Sequence, residues 1–344
     1  MLEGPAVSEE RLQIAIVGAG RWGSNLVRAF GSLPRCEIRW ICDVEPARLM
    51  RFSRPGQPPR LSVSIADVIE DAAVDAVVLA TPAEAHAEQA LAALDARKHV
   101  FIEKPMALSV QDSGLLRNAA ARSGRVVMVG HLMRYHPAVR ALGELTHSGA
   151  LGRIRHLAAE RLGPCGAGST TGPWWSLAPH DVSLARYFFQ AEVRDLAAVR
   201  STLSDESERV SARLSLGDRG TATITVDSSS AVKTRRFRLV GTRGTAIFDD
   251  GPEGPVLTVQ EPDAKAPRPV PFRPDEALVC EAAHFIDAIV EGRRVITDED
   301  EGHAVVSILE AGEASMRAGG RPMAVSEAGE SASGARSLSG PNPS

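Results

Sequence analysis

Along residues 12–130, short apolar runs alternate with longer runs of helical periodicity. Runs such as Val77–Leu79 are continuously apolar, as strands buried on both faces are. The predicted strands are Leu12–Val17, Cys36–Cys42, Asp75–Ala80, Val100–Glu103 and Val126–Val129. The predicted helices between them are Arg21–Leu33, Glu45–Arg51, Ile65–Glu70, Glu84–Arg97 and Ser109–Ser123. This alternation predicts a parallel, doubly wound α/β sheet with right-handed crossovers.

After residue 130 the pattern changes to longer segments in which apolar and polar residues alternate one by one. Six such strands are predicted, at Ile154–Leu162, Val193–Leu203, Arg209–Leu216, Thr221–Ser228, Arg235–Gly241 and Thr245–Phe248. Helices are predicted at Ala138–His147, Glu276–Glu291 and Asp300–Ala318. This half of the chain is therefore expected to be an α+β domain with a mostly antiparallel, open sheet.

Three glycines follow the first predicted strand with the spacing of a dinucleotide-binding turn. Gly18, Gly20 and Gly23 fit G-x-G-x-x-G, and Asp43 ends the second strand 25 residues after Gly18. The first glycine permits the turn, the second the approach of a pyrophosphate and the third close packing, while the acid meets the adenosine ribose. The predicted cofactor-binding residues here are Gly18, Ala19, Gly20, Arg21, Trp22, Gly23 and Asp43.

The motif predicts a Rossmann domain over residues 12–130, with an ordinary strand–turn–helix corner as the alternative. Residues 131–325 then form the substrate-binding and oligomerisation domain, between a flexible N-terminus (residues 1–11) and a disordered tail (residues 326–344). The cofactor is expected to be NAD, because the Asp43 carboxylate would repel the 2′-phosphate of NADP. Arg48 and Arg51 follow on the next helix and leave NADP open.

Composition excludes several classes of partner. The net charge is −4 and 44% of the residues are hydrophobic, so there is no basic excess for nucleic acid. No apolar run approaches the length of a membrane span, and the first residues do not resemble a signal peptide. The four cysteines, Cys36, Cys42, Cys165 and Cys280, form no metal-binding spacing. We expect a cytoplasmic protein with no metal, no nucleic acid and no membrane partner.

Five stretches in this order resemble the Gfo/Idh/MocA family of oxidoreductases, and the resemblance covers about residues 12–325. They are Gly18–Gly23, Ala80–His86, Glu103–Pro105, Gly130–Pro137 and Trp174–Asp181. The resemblance implies that Lys104, at the end of a parallel strand, reaches the substrate hydroxyl that loses its hydrogen. A cation there lowers the cost of removing the hydroxyl proton. It also implies a cis bond before Pro105.

His180 is the second predicted catalytic residue, because an imidazole accepts a proton near neutral pH. Family members often have an aspartate four residues earlier, where this chain has Ser176. Asp181 is interpreted as a helix-start residue. Further cofactor contacts are expected from Thr81, Pro82, His86, Glu103 and Lys104.

The expected substrate-binding residues are Arg134, Tyr135, His136, Trp175, Ser176 and His180. A guanidinium such as Arg134 can bind a phosphate or a carboxylate, but it can equally form an ion pair between segments. Trp174 and Trp175 are placed in a Gly/Pro loop, where they stack on a sugar or base or pack at the domain interface.

The motifs are most similar to those of the sugar and nucleotide-sugar dehydrogenases of the family. They imply NAD-dependent hydride transfer from a ring carbinol, C3 of a UDP-amino sugar. Two alternatives stay open: a ketoreductase of a sugar or cyclitol that runs the reaction backwards, and a dinucleotide sensor without turnover. A homodimer or homotetramer is expected through the second sheet, whose outer face would carry apolar residues such as Leu157, Val210, Leu214, Ile224 and Leu239.

Overall fold

The structure is a computed structural model that describes residues 11–53, 59–163, 171–204, 207–251 and 253–326. The expectations for the N-terminus before residue 11, for Cys165 and for the tail after residue 326 therefore lie outside the described residues. No described helix combines the length and the apolar character needed to cross a membrane.

Six parallel strands form the first sheet, in the order β3-β2-β1-β4-β5-β6. They are β1 (Leu12–Val17), β2 (Cys36–Cys42), β3 (Arg60–Ser62), β4 (Ala76–Leu79), β5 (His99–Ile102) and β6 (Val127–Val129). The predicted doubly wound sheet is confirmed, with β3 as an unpredicted edge strand of three residues. The strand order reverses between β1 and β4, and a crevice for ligands opens beyond the carboxyl ends at such a point.

Helices α1 to α5 connect these strands. They are α1 (Arg21–Gly31), α2 (Pro46–Leu49), α3 (Ile65–Glu70), α4 (His86–Asp95) and α5 (Val110–Ser123). The Ser109 hydroxyl accepts the Asp112 N–H at 3.0 Å at the start of α5, and Gly124 ends the helix at φ +64°. The predicted helix over residues 84–97 is shorter, because Pro82 is followed by a separate 3-10 turn at Ala83–Ala85.

Nine strands form the second sheet, in the order β14-β13-β12-β11-β7-β10-β9-β8-β15. They are β7 (Ile154–Leu162), β8 (Asp195–Ser204), β9 (Ser207–Ser215), β10 (Thr221–Asp227), β11 (Thr234–Gly241), β12 (Thr245–Gly251), β13 (Gly254–Gln260), β14 (Arg268–Pro269) and β15 (Met323–Ala324). The sheet is mostly antiparallel, as predicted, but β7 and β10 pair in parallel and there are three more strands than expected. The remaining helices are α6 (Pro137–His147), α7 (Gly172–Phe189), α8 (Ala277–Glu291) and α9 (Glu299–Arg317).

The apolar residues expected on the outer face of this sheet point inward. Leu157, Val210, Leu214, Ile224 and Leu239 are all 0% exposed, in one core with residues of α7 and α9. Outward positions of the same strands are polar or charged and include Arg213, Thr223 and Arg238. The expectation was wrong because one-by-one alternation identifies two faces and not which of them helices cover.

Helix α8 returns from the end of the chain to the first sheet. Phe285 of α8 meets Phe30 and Phe101 edge to face, with ring centroids 6.3 and 5.8 Å away, and those two rings are 5.9 Å apart. Beyond α8, Thr297 exchanges two hydrogen bonds with Val129 of β6, at 2.7 and 2.8 Å. The core of the first sheet is therefore completed by residues far beyond the predicted boundary at residue 130.

Candidate functional site

The glycine turn after β1 has the shape that a pyrophosphate requires. Gly18 has φ +97°, and a Cβ there would lie 2.5 Å from the Ala80 carbonyl. A Cβ on Gly23 would lie 1.8 Å from the Gly18 oxygen, whereas one on Gly20 would meet no described residue within 4 Å. Among the described residues, no side chain caps the start of α1, so the N–H groups of its first turn are left for a ligand. These residues fit a dinucleotide.

The Asp43 carboxylate lies beside this turn, as predicted. It is 5% exposed and accepts the N–H groups of Ala19 at 2.7 Å and Glu45 at 2.9 Å. Arg48 approaches it to 3.5 Å, and Arg51 donates to the carbonyls of Ala19 and Gly20. Asp43 therefore supports the glycine turn directly. Of the two arginines that left NADP open, Arg48 lies beside Asp43 and Arg51 lies beside the glycine turn.

Glu103 and Lys104 follow β5 at the same edge of the sheet. The Glu103 carboxyl is buried, accepts the Trp22 indole N–H, and accepts the Lys104 backbone N–H at 3.2 Å. Burial raises the pKa of this carboxyl to about 7. The Lys104–Pro105 bond is cis, as the resemblance implied. Each Glu103 oxygen thus accepts one protein donor, so Glu103 positions both Trp22 and Lys104.

His86 has a similar supporting place. It is 1% exposed, with Nδ1 2.8 Å from the Pro105 carbonyl and Nε2 2.9 Å from the Thr81 carbonyl. Burial lowers its pKa below the ordinary value. Its predicted cofactor contact is therefore corrected: the ring joins the turn at Thr81 and Pro82 to the turn after Lys104.

Helix α7 brings the second half of the chain to Lys104. The Lys104 ammonium donates to the Ser176 backbone carbonyl at 2.6 Å, and the Ser176 hydroxyl donates to the Gly172 carbonyl at 2.6 Å. His180 lies one helical turn beyond Ser176, on the same face of α7. The two predicted catalytic side chains are thus close together.

The His180 imidazole is neutral near pH 7. Burial, followed by the charges of Lys104 and Arg161, lowers its pKa well below the ordinary value. Its Nδ1 is buried and has no hydrogen-bond partner among the residues that the structure describes. A neutral imidazole has one nitrogen that can accept a proton.

Asp181 does not start a helix. It is buried in the middle of α7 and binds Arg161 of β7 through two hydrogen bonds of 3.0 and 2.8 Å. The helix begins earlier than expected, because Gly172 adopts φ +65° and Pro173 occupies the first turn. Such a buried two-bond ion pair fixes the rotation of α7 and so the direction of the neighbouring His180.

The same early start places both tryptophans in α7 and not in a loop. Trp174 is 1% exposed, donates its indole N–H to the Leu309 carbonyl at 2.9 Å and packs on Gly312. It therefore packs between α7 and α9 in the core of the second sheet, and neither of the predicted alternatives describes it. Trp175 is half-buried and contacts both the core of the first sheet and that of the second, so it lies at the junction of the two domains.

Three predicted substrate-binding residues are engaged in packing. Arg134 lies 3.4 Å from Glu301 and 4.3 Å from the Tyr187 ring centroid, so the ion-pair alternative describes it. The Tyr135 hydroxyl is 2.9 Å from Thr297 Oγ1 in the core. His136 caps α6 through the Ala138 N–H at 3.2 Å, with its ring against Phe248. Distant segments thus supply the partners of Arg134 and Tyr135, whereas the substrate contact predicted for His136 stays a prediction.

His131 is a side chain near the site that sequence reasoning missed. It follows β6, is 1% exposed, and neither ring nitrogen has a hydrogen-bond partner in the described part of the chain. Burial lowers its pKa to about 4. Its position directly after Gly130, in a stretch that carries the resemblance, was the available signal.

Comparison with known proteins now identifies the family. A model of an oxidoreductase family with an NAD-binding Rossmann fold, GFO_IDH_MocA, matches residues 12–131, and a model of the GFO/IDH/MocA C-terminal domain matches residues 139–247. The chain belongs to the Gfo/Idh/MocA family. It is therefore an oxidoreductase with an NAD-binding Rossmann domain, which confirms the predicted enzyme class and fold.

Individual relatives in the Gfo/Idh/MocA family differ in what they act on. Inositol 2-dehydrogenase 1 of Mycolicibacterium vanbaalenii is 27% identical over 91% of this chain and 96% of its own. The aldose–aldose oxidoreductase of Caulobacter crescentus superposes with a TM-score of 0.82 at 26% identity, over 92% and 100% of the two chains. UDP-N-acetylglucosamine 3-dehydrogenase of Acidithiobacillus ferrooxidans superposes with a TM-score of 0.79 at 24% identity, over 90% of this chain and 98% of its own. This likeness shows a shared fold.

The glycine turn of this family member yields a paired prediction. Gly23→Ala should lower the melting temperature, because its Cβ would overlap the Gly18 carbonyl oxygen. Gly20→Ala should melt like the unmodified protein but bind NADH more weakly, because the new methyl occupies the space for the pyrophosphate. Thermal melting and NADH fluorescence titration measure the two effects. Unchanged NADH affinity in Gly20→Ala would show that the pyrophosphate lies elsewhere.

Proposed function

We propose that this protein is an NAD-dependent dehydrogenase that oxidises a ring carbinol of a sugar, and specifically C3 of a UDP-amino sugar. One observation carries the proposal. The Lys104 ammonium binds the Ser176 carbonyl one helical turn before the neutral His180, at the edge of the sheet that also holds the glycine turn. The choice of a UDP-amino sugar rests on the resemblance of the motifs.

Lys104 and His180 divide the work on the substrate hydroxyl. When bound, NAD supplies the hydride acceptor at the edge formed by the glycine turn, Thr81 and Pro82. The Lys104 ammonium donates to the carbinol oxygen and stabilises its developing negative charge. His180, held neutral by burial, accepts the hydroxyl proton. Ser176 contributes its carbonyl and not a carboxylate, so the imidazolium formed at His180 has no anionic partner at that position.

Reduction of a ketone would use the same groups in reverse, with His180 protonated and Lys104 binding the carbonyl oxygen. The alternative from another class is a dinucleotide sensor without turnover. Such a sensor would not need the neutral imidazole of His180 beside the ammonium of Lys104. Activity on myo-inositol instead of sugars would fit the inositol dehydrogenase relatives.

The proposal is tested with Lys104→Ala and His180→Ala, assayed by NADH absorbance on UDP-N-acetylglucosamine, glucose and myo-inositol. Lys104→Ala should keep its NADH affinity and lose nearly all turnover. His180→Ala should lose about 10²-fold or more in kcat, the scale of a positioned proton acceptor. Lys265→Ala, at an exposed lysine between β13 and β14, is the control and should match the unmodified enzyme.

The pH profile separates these roles further. Because the pKa of His180 is lowered, kcat/KM should stay constant as the pH falls through 6.5 and decline only at more acidic pH. Full kcat in Lys104→Ala, or an acid limb unchanged in His180→Ala, would remove that residue from the mechanism.

We propose that NAD is preferred over NADP because of the Asp43 charge. Asp43→Asn keeps an oxygen for the turn, which Asp43 supports through the Ala19 N–H, and removes the repulsion of a 2′-phosphate. The ratio of kcat/KM for NAD to that for NADP should fall in this variant, with Arg48 then free to bind the phosphate. An unmodified enzyme that uses both cofactors equally would contradict the preference.

We also propose a homodimer or homotetramer assembled through the outer face of the second sheet. The support for this proposal is the resemblance to the family and the nine-stranded width of the sheet. The apolar residues that were expected on the outer face do not support it, because they are buried. Contacts there would involve outward residues such as Arg213, Thr223 and Arg238. Light scattering at micromolar concentration should give a multiple of 36.5 kDa, and the monomer mass would refute assembly.

A further inference from the structure

Positive charges gather on one side of His180 without an equal number of carboxylates. Arg161 of β7 and Arg235 of β11 are directly paired positions of antiparallel strands, so their side chains leave the same face of the sheet. Lys233 directly precedes β11, and the charges of Arg235 and Arg161 both act on it. We call Arg161, Lys233 and Arg235 the cationic row.

The cationic row begins beside α7, because Arg161 binds Asp181, the residue that follows His180, and Arg235 is the direct cross-strand partner of Arg161. Arg161 and Arg235 both lower the pKa of His180, so both guanidinium groups act on its ring. Neighbouring Arg235 and burial lower the pKa of Lys233, the Asp250 carboxylate raises it in part, and Arg161 and Arg21 lower it further. Arg21 is the first residue of α1, in the opposite domain. Arg161 and Arg235 therefore lie on the face of the sheet that α7 covers, next to His180.

The charges in the row are only partly offset. Arg161 is satisfied by Asp181, but Arg235 reaches Asp250 through a single bond of 3.3 Å, and its side chain is 36% exposed. Among the described residues, no carboxylate lies within ion-pair distance of Lys233. Burial, then the charge of Arg161, lowers the pKa of Arg235. Gathering like charges costs stability, and an anion between them removes that cost.

Arg236 shows the contrast on the same strand. Arg236 lies on the opposite face of β11, where its direct cross-strand partner is Asp249 of β12. The Asp249 carboxylate accepts hydrogen bonds from the Nε of Arg236, at 2.8 Å, and from its Nη2. Arg236 is thus an exposed arginine whose charge is already paired with that of Asp249. Arg235 keeps a guanidinium edge for a ligand, and a guanidinium binds phosphate or carboxylate through two parallel hydrogen bonds.

We propose that Arg235 and Lys233 bind an anionic group of the substrate, a phosphate or a carboxylate, while its carbinol lies between Lys104 and His180. The proposal rests on the function proposed above and assigns the residues that would bind the charged part of the substrate. Arg161 supports the site by holding α7 through Asp181. A neutral sugar or cyclitol would leave the charges of the row unmet.

The test measures binding directly, by calorimetry on the protein saturated with NADH. UDP, glucuronate and myo-inositol are the probes for a phosphate, a carboxylate and a neutral ring. UDP or glucuronate should bind, and Arg235→Gln should weaken that binding about ten-fold or more, the scale of a lost charged hydrogen-bond partner. Lys233→Gln should weaken it less, because Lys233 is exposed. Arg236→Gln, the matched control, should bind like the unmodified protein.

The outcomes distinguish failure of the proposed anion site from failure of the proposed dehydrogenase activity. Equal effects of Arg235→Gln and Arg236→Gln, or binding of myo-inositol alone, would overturn the anion site. A comparable loss of NADH affinity in Arg235→Gln would assign the row to the cofactor and also overturn it. Arg235-dependent binding of UDP identifies a phosphate as the anion, and such binding of glucuronate identifies a carboxylate. If the anion binds but no sugar is oxidised, the site stands and the proposed dehydrogenase activity fails.

Discussion

The arrangement of the cleft depends on the burial of one carboxyl group, that of Glu103. A carboxyl without water must find donors within the protein, and the two that it finds belong to different functional segments. One is the indole of Trp22, in the first turn of the helix that follows the glycines, and the other is the backbone N–H of Lys104. The cofactor turn and the lysine are therefore held at a fixed separation by a single side chain.

Helix α7 plays the corresponding part in the second half of the chain. Over less than three turns it supplies a carbonyl for Lys104, the imidazole of His180 and the carboxylate of Asp181. Pro179 lies inside the helix and removes the backbone donor for the Trp175 carbonyl. Since Asp181 is locked to the sheet by Arg161, the orientation of the helix is set by the same sheet that carries the cationic row.

The sequence predicts most of what depends on local pattern. The parallel sheet, the glycine turn and the position of Lys104 follow from residues adjacent in the chain or from strand ends. The proximity of His180 to Lys104 followed only from the resemblance to the family. Properties set by distant partners were out of reach. Arg134 forms an ion pair with Glu301, which is 167 residues away. The Tyr135 hydroxyl is hydrogen-bonded to Thr297. Alternation could not tell that Arg235 lies on the face that α7 covers while Arg236 faces outward, because both faces of β11 carry arginine.

The return of helix α8 has a consequence for how the chain is made. The ring of Phe285 covers Phe30 and Phe101, and Thr297 extends the free edge of β6. A ribosome that has released only the first 130 residues has therefore produced a sheet with an uncovered aromatic face and an open edge. Exposed apolar surface and an unpaired strand edge are the features that make incompletely folded chains prone to aggregate. The nucleotide-binding half matures only when the last quarter of the protein has been synthesised.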